Sequence, residues 1–411
     1  MKELKQWFDS ISKIGALPDG GYYRGSYTQE ELEIQELLTK WMEKSGLTVR
    51  KDAAGNLWGR IDGEFENAPP IITGSHIDSV RNGGNYDGIF GVLGGLAAVK
   101  RIIEEKGKPI IPIEVVAFTG EEGSRFSIGL MGSHAVAGSL DEDDFKTKTD
   151  VNGITIAEAM SKVGLDANKI KDAVRDNVGA YLEMHIEQGP VLESSGLSIG
   201  VVDAIVGTQQ FRVTMYGEAG HAGTVPMANR KDPMVYASRA IARFPEIAKN
   251  TGDGVITVGR IWAKPDAENV IPGEVSFTVD LRHPVEEIKQ EIALAVKSVC
   301  EEEALPGGKE IGWLEFPNNI ATSMDDKLTE LLEDACKNLG YSYKKISSGA
   351  GHDTLNMAKL GKVGMLFVPC KDGRSHCPEE FASIEDMNKG VEVLKSCLNK
   401  LAYENTLNLT N

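Results

Sequence analysis

Residues 110–124 read IIPIEVVAFTGEEGS. The apolar, β-branched run through Ile113, Val115 and Val116 is the pattern of a central strand. It ends in two adjacent carboxylates, Glu121 and Glu122. In an α/β protein the loops that leave the C-terminal ends of such strands carry function. Just upstream, residues 87–107 form a helix whose Gly91, Gly94, Gly95 and Ala98 permit close packing. Before it, the strand at 70–74 ends in SHIDS. Further upstream, Thr28 opens a helix with a capping box, in which Glu31 reaches back to the cap. An apolar stripe of Leu32, Ile34, Leu37, Leu38 and Trp41 continues that helix to Gly46, and short strands follow at 47–50 and 57–61. Downstream, strands at 181–186 and 363–369 each precede a loop rich in His, Glu or Pro. Strands alternating with helices predict an α/β protein with a mainly parallel sheet.

The order changes between residues 207 and 324. A strand at 209–217, a helix at 232–249, strands at 254–263 and 274–282, a helix at 285–303 and a strand near 311–316 read β-α-β-β-α-β, the α+β ferredoxin-like unit. The reading is therefore a catalytic domain of residues 1–206 and 325–411, interrupted by an inserted domain of residues 207–324.

Composition narrows the function classes. Lys and Arg number 44 against 61 Asp and Glu, a net charge of −17. Such a surface repels phosphate backbones and anionic bilayers, so neither a nucleic-acid nor a membrane partner is expected. No apolar run approaches the ~20 residues a membrane helix needs, and the charged N-terminus does not resemble a signal peptide. Five cysteines without a CxxC pair argue against a disulfide framework. The expected compartment is a reducing cytoplasm.

Four predicted strand ends carry metal-binding residue types: His76 and Asp78, with Asp87 in NGGNYDG; Glu121 and Glu122; His185 in EMHIEQG; and His376 in RSHCPEE. Neutral imidazoles and carboxylates hold divalent ions, and two ions close together activate a shared water and polarise a scissile carbonyl. Asp87 can bridge two ions with its two oxygens. Asp78, two residues from His76, suits the role of fixing the imidazole tautomer. One glutamate of the pair would bind metal and the other would act as general base. Taken singly, each piece reads as a packed imidazole or a solvated loop, and Glu187 is as good a ligand as His185. Their convergence on one α/β pattern favours metal chemistry.

GSHIDSVRNGGNYDG, AFTGEEGSRF, MGSHAVAG, LEMHIEQGPVLE, GHAGTVPM, NVIPGEVSFTVDLRH, SGAGHD and SHCPEE occur in this order from about residue 20 onward. Together they resemble the metal-dependent amidohydrolases of the M20 peptidase clan, in the branch of N-carbamoyl-L-amino acid hydrolases, allantoate amidohydrolases and β-ureidopropionase. The resemblance implies His76, Asp87 (bridging), Glu122, His185 and His376 as metal ligands, Glu121 as general base and Asp78 as the group orienting His76. It implies two divalent ions per subunit, Mn2+ or Zn2+, with Co2+ or Ni2+ as alternatives. In peptidase relatives the position of His185 is commonly a carboxylate, so histidine there fits the ureido-cleaving branch.

For the inserted domain, the resemblance implies a lid and a homodimer contact. There His221 would donate to the developing oxyanion, and Arg282 would grip a substrate carboxylate. Asn269, Gln209 and Gly351 would complete substrate binding. Read from pattern alone, Arg282 is a surface partner of Asp280, Asn269 a turn residue, Gln209 an edge-strand residue and Gly351 a turn glycine. His134 reads as a helix-terminal hydrogen-bonding residue and His352 as lining the site. The expected substrate is a small carboxylated ureide, foremost an N-carbamoyl-L-amino acid, with allantoate as the alternative. Relatives acting on allantoate commonly carry Arg where Gln209 stands. An aminopeptidase or deacylase of the clan, or a binding protein without activity, ranks lower, since no ligand or base is missing.

Overall fold

The computed structural model describes residues 2–18, 20–307, 311–316 and 318–410. Its main sheet has nine strands. They run in the order Thr48–Lys51, Leu57–Ile61, Ile113–Phe118, Ile71–His76, Ala180–Ile186, Lys362–Val368, Ile199–Ile205 and Thr322–Ser323, and Tyr343–Ser348 also pairs with Ile199–Ile205.

The expectation of a mainly parallel sheet is corrected to a mixed one. Ile113–Phe118, Ile71–His76, Ala180–Ile186 and Lys362–Val368 pair in parallel at the centre. The strands on either side of this block join it antiparallel. The reason lies in the connections. Between Ile71–His76 and Ile113–Phe118 runs the helix Ile89–Lys106, long enough to return the chain to the same end of the sheet. Thr48–Lys51 and Leu57–Ile61 are joined only by residues 52–56, which permit nothing but an antiparallel turn. The four parallel strands are buried along nearly their whole length, as strands covered on both faces must be. The Ile89–Lys106 helix sits so tightly on them that a Cβ on Gly91 would lie 2.4 Å from the Met184 carbonyl oxygen.

Two compact units emerge: residues 1–203, 324–346 and 351–411 in one, and residues 204–323 and 347–350 in the other. The second has its own sheet. Glu274–His283 pairs antiparallel with Gly207–Tyr216 on one side. On its other side lie Ile261–Lys264 and Val255–Thr257, which divide the expected 254–263 strand into two. Gly312–Glu315 closes the far edge. Helices Pro233–Lys249 and Glu286–Ala304 supply the apolar cover, packing Phe244 and Val296 against Phe211, Phe277 and Val279.

The expected capping box at Thr28 forms only in half. Thr28 Oγ1 accepts from the Glu31 amide at 3.4 Å, but the Glu31 carboxylate takes the Tyr27 amide at 2.6 Å and the Thr119 hydroxyl instead of the cap's own N–H. Thr119 lies just past the end of a central strand, so Glu31 is drawn into the protein and is only 1% exposed. Burial pushes its carboxyl up to about 7. The native state therefore favours the protonated acid. The stability that goes with it is complete below the ordinary carboxylate range and is lost as pH rises through about 7. Glu31→Gln mimics the protonated acid and should remove this loss, on the order of 2 kcal/mol between pH 5.5 and 8. Urea unfolding of both proteins at pH 5.5 and 8 measures it. Equal pH dependence in the two would reject the assignment.

Candidate metal centre and active site

The four parallel strands deliver their chemistry to one end of the sheet. His76 is the last residue of its strand, His185 the last but one of the next, Glu121 and Glu122 follow Phe118, and His376 lies in the loop after Val368. Parallel pairing makes those C-terminal ends adjacent. Ligand atoms of His76, Asp87 and His185 lie within 4.8 Å of one another, as do those of Asp87, Glu122 and His376, and those of His76, Glu121 and Glu122.

Asp87 divides its carboxylate between two sets of donors. Its Oδ1 faces His185 Nε2 at 3.0 Å and His76 Nε2 at 3.5 Å, while Oδ2 faces His376 Nε2 at 3.4 Å. His376 Nε2 is in turn 3.3 Å from Glu122 Oε2. The other Glu122 oxygen is buried without a hydrogen-bond partner among the described residues. His185 Nδ1 is 2.9 Å from the Ile186 carbonyl, to which it donates, so Nε2 is the accepting nitrogen and takes the Gly88 amide at 3.1 Å. Two N/O donor sets sharing one carboxylate fit a pair of divalent ions.

Charge supports the same conclusion. Asp78, Asp87, Glu121, Glu122 and Asp353 gather here, and none forms an ion pair with Lys or Arg among the described residues. The surrounding carboxylates favour the protonated forms of His76 and His376 in place of that missing charge. Burial disfavours the charged form of His76, but Glu121, Asp78 and Asp87 override it and raise its pKa well above the usual value. Hydrogen bonds to Asp87 and Glu122 push His376 up to about 10. For Asp87, burial is overridden by the three imidazoles, which hold it well below the usual carboxylate range. Divalent ions supply positive charge in the same place and release those protons.

Glu121 binds in neither Asp87 set. Its Oε2 lies 3.7 Å from His76 Nε2, and burial, reinforced by Glu122, Asp353 and Asp78, raises its carboxyl well above the usual range despite His76. Asp78 does more than the orienting role predicts. Its Oδ1 accepts from the Glu121 amide at 2.9 Å and its Oδ2 from the Glu122 amide at 3.2 Å. Toward His76 Nδ1 it offers its main-chain carbonyl at 3.1 Å, closer than its carboxylate at 3.5 Å. Gly88 closes the centre with φ 66° and ψ −55°, and the Ile89 amide donates to the Asp87 carbonyl at 2.7 Å. This is a γ-turn, a strained geometry.

Glu187, open as an alternative ligand, is committed elsewhere. Its oxygens accept from the Val191 and Leu192 amides at 2.7 and 2.8 Å. His134 Nδ1 meets Ser139 Oγ at 2.8 Å. His352 is buried with its ring 4.6 Å from that of His185, and burial together with His185 lowers its pKa well below the usual value. Gly351, just before it, is exposed.

In the second unit, His221 and Asn269 lie side by side. Gly220–His221 pairs with Val270–Ile271, and the Ala222 amide donates to the Asn269 carbonyl at 3.0 Å. His221 Nδ1 accepts from the Gly223 amide at 3.0 Å, which leaves the ring proton on Nε2. Arg282 is paired with Asp280 as the pattern suggested, through Nε at 2.9 Å and Nη2 at 3.2 Å, and its Nη1 donates to the Gly349 carbonyl at 2.8 Å. A guanidinium has five N–H groups, so one on each terminal nitrogen stays available for a carboxylate. Gln210 rather than Gln209 joins this pair, donating to Asp280 Oδ2 at 2.6 Å. Gln209 stands opposite Leu281, on the strand's other face.

Residue-type patterns missed several supporting groups. Glu183 is fully buried and accepts from Ser75 Oγ at 2.7 Å and Thr354 Oγ1 at 2.6 Å. Burial and nearby Glu183 push Asp353 up to about 8. Ser375 and Gln188 donate to Asp87 Oδ2 at 2.6 and 2.7 Å, and Glu380 accepts from the Asp87 amide at 3.0 Å. All but Thr354 lie inside the quoted motifs. Their residue types gave no signal of their own, because Ser, Gln and Glu are common in solvated loops.

The chain is similar to known proteins along nearly its whole length. The chain is 40% identical over 403 residues to the N-carbamoyl-L-amino acid amidohydrolase of Geobacillus stearothermophilus, covering 98% of each chain. It is 38% identical over 409 residues to the allantoate amidohydrolase of Escherichia coli strain K12, again covering 98% of each. Among solved structures, a hydantoinase/carbamoylase family amidase from Burkholderia multivorans matches with a TM-score of 0.90 at 35% identity, over 97% of this chain and 96% of the other. Residues 72–400 match the family model itself, and this protein belongs to peptidase family M20/M25/M40.

Proposed function

We propose that the protein hydrolyses the terminal ureido group, R–NH–CO–NH2, of a small carboxylated substrate, foremost an N-carbamoyl-L-amino acid, to an amine, ammonia and carbon dioxide. The observation that carries this reading is the divided carboxylate of Asp87, with His76 and His185 on one oxygen and His376 with Glu122 on the other. Each set would hold one divalent ion, Mn2+ or Zn2+ in the first instance. When bound, such ions polarise the scissile carbonyl and acidify water. Glu121 takes the water's proton and returns it to the leaving nitrogen. His221 offers its Nε2–H to the carbonyl oxygen as charge develops, and the two remaining N–H groups of Arg282 receive the substrate carboxylate. Asn269 and Gly351 line the rest of the substrate, and Gln209, on the strand face away from Arg282, does not.

In this reading the second unit is a lid and the surface of a homodimer. The enzyme works in the cytoplasm, and no helix among the described residues is long and apolar enough to cross a membrane. Allantoate is the second reading, favoured by the 38% identity to the E. coli enzyme. Both substrates present the same scissile bond, so ammonia release decides between them. The panel is allantoate, N-carbamoyl-amino acids of both hands, ureidopropionate and a dipeptide, each with and without prior chelation. The expected result is fastest release from an N-carbamoyl-L-amino acid, abolished by the chelator. Activity that survives exhaustive chelation, or appears only on the dipeptide, would overturn the proposal.

A further inference from the structure

The loop that carries His376 is tied at its base, where the Lys371 amide donates to the Phe381 carbonyl at 2.8 Å and the Asp372 amide to Glu193 Oε2 at 2.6 Å, but His376 itself stands out from it. His376 has φ 57°, a left-handed conformation that costs a non-glycine residue energy, and its side chain is 48% exposed, against 2% for His76 and 1% for His185. Burial therefore fixes the ligands on Asp87 Oδ1 and does not fix His376. What flanks His376 is a link to the Asp87 loop. Glu380 is 5% exposed. Its Oε1 accepts from the Tyr86 amide at 2.8 Å and the Asp87 amide at 3.0 Å. Its Oε2 lies 2.8 Å from Ser375 Oγ, which lies 2.6 Å from Asp87 Oδ2. The fit is close: a Cβ on Gly84 would lie 2.1 Å from the Glu380 carboxyl.

We infer that Glu380 is a positioning residue that locks the His376 loop to the Asp87 loop and so builds the ion site formed by Asp87 Oδ2, Glu122 and His376. The inference rests on the two-ion reading above and extends it. Glu380 acts through geometry rather than charge. Ser375 has one hydroxyl hydrogen for two neighbouring carboxylates. A glutamine at 380 would keep its oxygen on the two amides and donate from its nitrogen to Ser375 Oγ, whose hydrogen then goes to Asp87. An alanine would leave two amides unpaired and only the Ser375 hydroxyl joining the His376 loop to Asp87.

The test is Mn2+ binding to the full-length protein by equilibrium dialysis, counting ions per chain and the affinity of each. The wild type should bind two. Glu380→Ala should weaken one of them about 10- to 100-fold, the range for losing a group that orients a metal ligand, and leave the other near wild type. Glu380→Gln should restore both. Should Glu380→Ala fail to fold, Ser375→Ala, which keeps the amide contacts, must show the same selective weakening. Unchanged binding in the variant that folds, equal weakening of both ions, or equal damage from Gln and Ala would overturn the inference. A wild type that binds one ion or none would instead remove the two-ion reading.

Discussion

Glu121→Gln should leave the fold and the bound ions in place and lower turnover by about 10²–10⁴-fold, the usual contribution of a general base. Its neighbour Glu122 faces His376 in the Asp87 Oδ2 set, whereas Glu121 does not, so the exchange removes a proton acceptor without removing a ligand from either Asp87 set. The variant's backbone should stay in place, because Asp78 holds residues 121 and 122 by their amides. Burial already holds the Glu121 carboxyl above the ordinary range, which suits a base working near neutral pH. Initial rates on the best substrate of the panel, with ion content measured on the same samples, decide the matter. Turnover within a few-fold of wild type would show that another group takes the proton. A large loss accompanied by loss of ions would make Glu121 a ligand instead.

Gly88→Ala is the second large effect, and it comes from a residue without chemistry of its own. At φ 66° and ψ −55°, a Cβ on residue 88 would lie 2.3–2.4 Å from three atoms of the His76 ring. No flexible side chain can yield, because His76 is 2% exposed and held at the end of a central strand. Either the ring leaves its place or the γ-turn opens, and the turn is what aims Asp87. Both routes separate the ligands of the Asp87 Oδ1 set. Ion content should fall below wild type and turnover should drop by about 100-fold or more, as expected from an ångström-scale misplacement at a reacting centre. Metal analysis and kinetics on the purified variant check this. Normal ion content with normal rates would mean that the loop adjusts at little cost.

The residues proposed to hold the centre were readable because their types are costly elsewhere. His76, Asp87, Glu122, His185 and His376 stand at or beyond the ends of apolar runs, where polar groups need a reason to be, and the strand periodicity predicts their convergence. Arg282 and Asp280 were readable from alternation alone: Val275, Phe277, Val279 and Leu281 are buried, and the residues between them are not. Three things were not readable. Strand direction depends on what joins two strands and which neighbour each finds, so the mixed sheet did not follow from the strands themselves. Glu31 was read as a cap, yet the Thr119 hydroxyl 88 residues away draws its carboxylate inward. Asp78 was read as the partner of one imidazole, whereas its carboxylate holds the two glutamate amides.

The local pattern of apolar and polar residues determined the α/β class and put residues of metal-binding type at strand ends. Each of these depends on nearest neighbours along the chain. Tertiary structure alone decided how the Asp87 oxygens are shared, that Gly88 has no room for a methyl group, and that Glu380 reaches back 293 residues to the Asp87 amide. These depend on distances between segments remote in sequence, where a difference of one ångström separates a ligand from a clash, and no periodicity records such distances.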